Sequence, residues 1–281
     1  MNTADISGKN VTILGSQRSA MGAARLLRHF GAKVLVSEFD ADKFDADKRQ
    51  ILADIEAEFE FGYHSPDVLE SDFVVVSPGI PENADIIEKI RTKNIPLYSE
   101  IEMTSWFIDA PIIAVTGSNG KTTTVNLIHH LLLTAGYDSF LGGNVGVAAS
   151  EVLMDRLEKE PAKPIFVLEV SSFQLDNIDT FKPQVAVILN LTPDHLDRYP
   201  SLAAYYESKL GLLRNLDDTC MAVINRDDPE LSRHDITVDP IRYFSVSSPS
   251  GGDVMLAEGV IGIMRDGEWS PILPAKALPL P

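Results

Sequence analysis

The stretch TGSNGKTTT, Thr116 to Thr124, constrains this chain more than any other. It follows an apolar run, Pro111 to Val115, that reads as a buried strand, and it precedes Val125 to Leu133, which reads as a helix. Strand, Gly-rich turn, Lys-Thr and helix make the geometry of a phosphate-binding loop, in which turn amides and the positive helix end face an anion. Lys121 adds a full charge, and the Thr122 hydroxyl suits a magnesium ion. The spacing is tighter than G-x-x-x-x-G-K-[ST], because Gly117 and Gly120 stand only three apart. A Gly-rich helix entry with an incidental Lys-Thr is the bland alternative, and the flanking strand and helix weigh against it.

The rest of the composition sets a problem for such a loop. Lys and Arg total 24 against 41 Asp and Glu, a net charge of −17. That balance argues against nucleic acid or an anionic membrane as partner, since both demand a basic face. Phosphates must therefore be attracted locally, by Lys121, a helix N-terminus and bound magnesium. A unit charge about 4 Å away contributes roughly 4 kcal/mol at an effective dielectric of about 20, enough to beat a diffuse field. The single cysteine, Cys220, forms no disulfide within the chain and fits the reducing cytosol, so a cytoplasmic location is expected. No apolar segment reaches the ~18 residues of a membrane span, and no secretion signal is evident.

Two α/β blocks are expected in the 281 residues. In the first, strands at 11–14, 33–37 and 73–77 alternate with helices at 19–30 and 84–93, which implies a parallel sheet. Residues 101–109 read as a connecting segment. In the second, strands are expected at about 111–116, 138–141, 165–170, 185–190 and 220–225, with helices at about 121–135, 147–159 and 201–214. Residues 254–264 read as a β-hairpin. The final PAKALPLP is apolar and Pro-punctuated, without a closing helix or strand, and reads as part of a structure that continues.

Gly15 to Gly22, GSQRSAMG, follows a strand and opens a helix, and Glu38 ends the next strand. This is a Rossmann-like layout, but Gln17 stands where G-x-G needs its second Gly, which disfavours NAD. A different nucleotide, held with Arg18 and Ser19 at the helix start, fits better. SPGIP, 77–81, ends another strand on the same sheet edge; alone it also reads as an ordinary turn. In the second block Glu169 ends the strand IFVLEV, the position for a magnesium ligand beside a phosphate loop. His195 lies between Asp194 and Asp197 at a further strand end. Tyr205 and Lys209 share one helix face.

Together these motifs resemble the Mur ligases of peptidoglycan synthesis, through SPGIP (77–81), SEIEM (99–103), TGSNGKTTT (116–124), GGNVG (142–146), EVSSFQL (169–175), DHLDRY (194–199) and YYESK (205–209). SSFQL and SPGIP resemble the D-glutamate-adding branch. The resemblance implies a Rossmann-like UDP-substrate-binding domain over 1–108, a P-loop NTPase-like central α/β domain with a small β-hairpin region over 109–281, cut short at its end, and a missing C-terminal D-glutamate-binding domain. It implies an ATP-dependent amide ligase that joins D-glutamate to UDP-N-acetylmuramoyl-L-alanine through an acyl phosphate. Gly117, Ser118, Asn119, Gly120, Lys121, Thr122 and Thr123 would hold ATP. Thr122 and Glu169 would hold one magnesium ion; Glu169, His195 and a carbamylated Lys209 would hold a second. Lys121, His195 and Lys209 would be catalytic. Asn144, Ser171, Gln174 and His195 would face the muramoyl-alanine end, and Ser16, Arg18, Ser19, Glu38, Ser77 and Gly79 the UDP end. Gln17 and Glu38 depart from the family, which commonly has Gly and Asp there. The chain as given is expected to bind the UDP-substrate without turnover. A non-catalytic UDP-sugar module, a folylpolyglutamate-synthase-like ligase and a generic P-loop kinase or ATPase remain alternatives. A sensor would not need His195 and Lys209, and a generic ATPase would not need the first block's loop.

Overall fold

The computed structural model describes residues 5–43, 45–194, 198–247, 252–265 and 267–277. Two sheets organise them. The first contains β1 (Asn10–Leu14), β2 (Lys33–Glu38), β3 (Glu58–Phe61), β4 (Phe73–Val76) and β5 (Leu97–Ser99), all parallel, in the order β3-β2-β1-β4-β5. β4 is a continuous apolar run buried along its whole length, and β1 is buried beyond its first residue with one polar member, Thr12, bonded to Ser71. α1 (Arg18–His29), α2 (Ala46–Asp54) and α3 (Asp85–Thr92) lie between the strands. The chain leaves β1 toward β2 on one side and later sets β4 on the other. The turns after β1 and β4 therefore diverge and open a crevice at the carboxyl ends of the strands.

The second sheet has nine strands: β6 (Ile112–Thr116), β7 (Asp138–Gly143), β8 (Pro164–Glu169), β9 (Val185–Ile188), β10 (Met221–Asn225), β11 (Ile241–Ser245), β12 (Val254–Ala257), β13 (Val260–Arg265) and β14 (Glu268–Pro274). Their order is β14-β13-β12-β11-β10-β9-β6-β8-β7, parallel from β7 to β12 and antiparallel beyond. Successive side chains of β6 enter different cores. Ile112 and Ala114 pack with α6 (Ala149–Leu157), α7 (Ser172–Leu175) and α8 (Leu202–Leu210), whereas Val115 packs with Val125 of α5 (Lys121–Thr134). The expected α/β architecture, with its parallel first sheet and its hairpin at 254–264, is therefore present. No helix among the described residues is long and apolar enough to cross a membrane.

Three expectations need correction. The segment 101–109 does not run as a plain connector: Glu100–Ser105 forms α4, in contact with α1 and α6. Glu102 on α4 is fully buried and accepts hydrogen bonds from the Trp106 indole, the Thr180 hydroxyl and the amides of Asp179, Thr180 and Phe181. A buried carboxylate needs such donors, and here they tie the joint between the sheets to the strand-free segment after α7. The chain also continues past its hairpin into β14, which pairs with β13. The helix expected to 214 ends at Leu210 and tightens into a 3-10 turn, Gly211–Leu213. α2, β3 and β5 escape the sequence pattern because α2 buries only Leu52, and β3 and β5 are short edge strands.

Candidate functional site

The turn between β6 and α5 is shaped by its glycines. Gly117 has φ +151°, and a Cβ there would sit 3.0 Å from Leu189 Cβ and 3.3 Å from the Asn190 amide; Gly120 caps α5 in the left-handed region at φ +84°. The segment after β9 braces the turn. The Asn119 amide donates to Asn190 Oδ1 (2.8 Å), the Ser118 amide to the Asn190 carbonyl (3.0 Å), and the Ser118 hydroxyl to the Thr192 carbonyl (2.8 Å). The first turn of α5 keeps backbone N–H groups that no helical carbonyl can satisfy. That first turn also carries Lys121 and Thr122, and the Thr122 hydroxyl meets Glu169.

Glu169 ends β8 and is buried, with one oxygen accepting from Thr122 Oγ1 (2.7 Å) and the other from Asn144 Nδ2 (3.1 Å). Asn144 reaches it because Gly143 lies against the Glu169 carbonyl so closely that any Cβ would collide with it. Lys121 curls over its own loop, donating to the carbonyls of Gly117 (2.8 Å) and Ser118 (3.0 Å). Lys209, on α8 and only 2% exposed, donates to the same Gly117 carbonyl (3.0 Å) and lies 4.7 Å from the Tyr205 ring centre. Burial first, and the neighbouring Lys121 charge second, push its pKa down to about 7. Its hydrogen bond goes to the loop and not to Glu169.

Thr122 and Glu169 are hard oxygen donors at the mouth of a phosphate-type loop, a set that suits magnesium shared with substrate phosphates. Among the described residues no group of three or more His, Cys, Asp or Glu side chains forms a metal cage. His195, the expected ligand and catalytic residue, lies outside the described residues. Ser171 and Gln174 are engaged with each other: the Ser171 amide and hydroxyl donate to Gln174 Oε1, and Ser171 Oγ caps α7.

The first sheet's crevice carries the other expected residues. The Ser16 amide and hydroxyl both donate to Glu38 Oε2 at 3.0 Å, and the Asp40 amide donates to Glu38 Oε1. Arg18 bonds the Gly146 carbonyl across the gap between the sheets. Arg18 and Ser19 line a cleft of about 130 Å³ with Asn144 and Gln174, so residues from both sheets converge there. A larger cavity, about 350 Å³, is lined by Glu38, Gly79, Phe39, Lys43, His64 and Ile80 among others. Ser77 lies outside both of these cavities, and its Oγ is buried without a hydrogen-bond partner among the described residues. Phe39 (67% exposed) sits 5.7 Å from the His64 ring, and burial lowers the His64 pKa. Sequence reasoning passed over Phe39, His64, Asn190 and Thr192. An exposed aromatic directly after Glu38, and polar residues straight after a strand end, were the available signals.

The chain matches known protein families. The Mur ligase middle domain family matches residues 115–260, and the MurD N-terminal domain family matches 11–86. A UDP-N-acetylmuramoylalanine--D-glutamate ligase of Salinibacter ruber is 37% identical, covering 100% of this chain and 62% of the relative. A protein of the same name from Pelodictyon phaeoclathratiforme is 43% identical over 82% of this chain and 49% of its own. The chain thus spans about half the length of the curated relatives it matches. Among solved structures, the UDP-N-acetylmuramate:L-alanyl-gamma-D-glutamyl-meso-diaminopimelate ligase of Neisseria meningitides superposes with TM-score 0.61 at 20% identity, over 94% of this chain and 86% of its own. A UDP-N-acetylmuramate-alanine ligase of Thermotoga maritima gives 0.52 at 22% identity, over 91% and 57%. These two share the fold.

Proposed function

Since the chain belongs to the Mur ligase family, we propose that it carries the UDP-substrate and ATP sites of a cytoplasmic ligase that adds D-glutamate to UDP-N-acetylmuramoyl-L-alanine. The observation that carries this reading is the meeting of Thr122 and Glu169 at 2.7 Å beneath a glycine turn on which both Lys121 and Lys209 converge. A carboxylate is a poor electrophile. Moving the γ-phosphoryl group of ATP onto the alanyl carboxylate forms an acyl phosphate; the D-glutamate amine then attacks, and the tetrahedral intermediate expels phosphate.

The protein's part is to position two anions and offset their repulsion. Lys121 and the amides that open α5, through Thr123, hold the β- and γ-phosphates, on a loop of Gly117, Ser118, Asn119 and Gly120 whose Ser118 and Asn119 amides are taken by Asn190. Thr122 and Glu169 would hold one magnesium ion, and Glu169, His195 and a carbamylated Lys209 would hold a second; bound magnesium would supply charge neutralisation at the transferring group. With its pKa lowered to about 7, Lys209 is the neutral amine at pH 7 far more often than an ordinary lysine. Only that form adds carbon dioxide, and an ordinary lysine is about 0.04% neutral there. Asn144, Ser171, Gln174 and His195 face the muramoyl-alanine end. Ser16, Arg18, Ser19, Glu38, Ser77 and Gly79 hold the UDP end, with Phe39 and His64 beside them. Residues 1–108 and 109–281 are proposed as the two domains that carry these ends.

Calorimetry tests the reading. The chain is expected to bind both UDP-N-acetylmuramoyl-L-alanine and magnesium–ADP. No heat with the UDP-substrate at millimolar concentration would remove the function. Binding of UDP-substrate without any magnesium–ADP would favour the non-catalytic UDP-sugar module.

A further inference from the structure

Arg198 follows the segment that carries Asp194, yet its hydrogen-bond partners lie in a turn of the first sheet. Its Nη2 donates to the carbonyls of Pro78 (3.1 Å) and Ile80 (3.3 Å), which bracket Gly79 in the turn after β4. The same guanidinium lies 4.5 Å from the ring centre of Phe173 on α7. From there the rings form an unbroken series. Phe173 stacks on Tyr199 at 5.7 Å and 10°, Tyr199 meets Tyr205 at 5.4 Å, and Tyr205 lies beneath Lys209. Tyr205 also brings its hydroxyl to 3.2 Å from Ser118 Oγ in the phosphate loop. The Tyr199 hydroxyl donates to Asp176 Oδ2 at 2.6 Å, which fixes the middle ring.

Ordinary core packing would account for stacked rings, but not for their ends. One end terminates on main-chain carbonyls of the UDP-side turn, the other on the phosphate loop and its buried lysine. A planar, weakly hydrated guanidinium can donate in its plane to two carbonyls while its flat face stacks on a ring, a geometry that a compact ammonium does not reproduce.

We propose that Arg198 is a positioning residue that holds the Ser77–Pro81 turn in register with the phosphate loop through Phe173, Tyr199 and Tyr205, so that a ligand on the turn changes affinity at the loop. This rests on the two-site reading above. Adjacency of rings does not by itself demonstrate coupling, so the test measures the coupling directly.

The probes are UDP and magnesium–ADP, each titrated alone and with the other saturating. UDP lacks the sugar and alanyl arm, which leaves out direct contact between the ligands. In the unaltered chain UDP is expected to tighten ADP about fivefold, and ADP must tighten UDP by the same factor. Arg198→Ala is expected to leave each ligand alone within about twofold while the coupling factor falls to about one. Arg198→Lys keeps the charge and is expected to do the same; it also serves if the alanine variant does not fold. Tyr199→Phe keeps the stack and should keep the coupling. A coupling factor unchanged in both Arg198 variants overturns the proposal, as does an unaltered chain that binds both ligands independently. Failure of UDP to bind at all is a different result and removes the two-site function, and this inference with it.

Discussion

The molecule contains two strand–turn–helix junctions of the same topology, Gly15 to Arg18 before α1 and Gly117 to Lys121 before α5, and they differ in what already occupies their donors. In the first, a protein carboxylate has taken the turn: Glu38 accepts from the Ser16 amide and hydroxyl. In the second, the Ser118 and Asn119 amides go to the uncharged Asn190, no carboxylate among the described residues accepts from the turn amides, and two lysines converge on the Gly117 carbonyl. Helix geometry offers an anion site at both. The second adds two lysines to it, and within a chain of net charge −17 a local difference of this kind is large enough to outweigh a diffuse field. The first junction is better suited to orienting the uncharged parts of a nucleotide beside Phe39 and His64.

The largest break in this contrast should come from Lys121→Ala. Magnesium–ADP affinity is expected to fall about a hundredfold, as for removal of a preorganised charged donor, while UDP affinity stays within about twofold. Calorimetry of both ligands decides, and equal losses at the two junctions would end the contrast. Lys209→Met comes next. The folded pKa of about 7 lies below the ordinary 10.5, so between them the unfolded chain holds a proton the folded chain lacks. Stability therefore rises with pH across that window, and the cost is fully present below pH 7. Replacing the buried amine by an apolar chain should stabilise by about 2 kcal/mol at pH 7 and by almost nothing near pH 10. Thermal unfolding at the two pH values checks this, and a gain independent of pH would show that charge burial is not its source.

Glu38→Ala probes the first junction. It strands the amides of Ser16 and Asp40, so UDP affinity is expected to fall about tenfold, with ADP within about twofold. Unchanged UDP affinity in a folded variant would mean that Glu38 serves the turn alone.

The contrast between the junctions also marks what the sequence could reveal. The second was legible because a phosphate loop is a local device: turn, lysine, hydroxyl and helix stand within nine residues, and the strand before it is apolar. Glu169 was legible as an acid at a strand end. What decided the first junction was not local. Glu38 meets Ser16 from 22 residues away, and no spacing rule announces that the two are paired internally. SEIEM was visible as a motif, yet its work, Glu102 gathering the amides of 179–181, joins segments 77 to 79 residues apart. Tyr205 was seen to share a face with Lys209; its hydroxyl's contact with Ser118 appears only once α8 is laid against the loop.

The smallest expected effect lies where the halves carrying the two junctions meet. Glu100 on α4 is buried, with Oε1 accepting from the Ser150 amide at the start of α6 (2.7 Å). Its Oε2 and the Ser150 hydroxyl are buried without hydrogen-bond partners among the described residues. Burial raises the Glu100 pKa above the ordinary 4.5. The folded chain therefore keeps a proton that the unfolded chain releases. The associated stability is complete below pH 4.5 and is lost as pH rises through the folded value. Glutamine mimics the protonated form and retains a carbonyl for Ser150, so Glu100→Gln should gain on the unaltered chain as pH rises above 4.5. Urea unfolding at three pH values reads that difference. A gap that stays constant would mean that Glu100 is ionised in the fold and that the joint holds a charge, which would make it electrostatically closer to the first junction than to a neutral hinge.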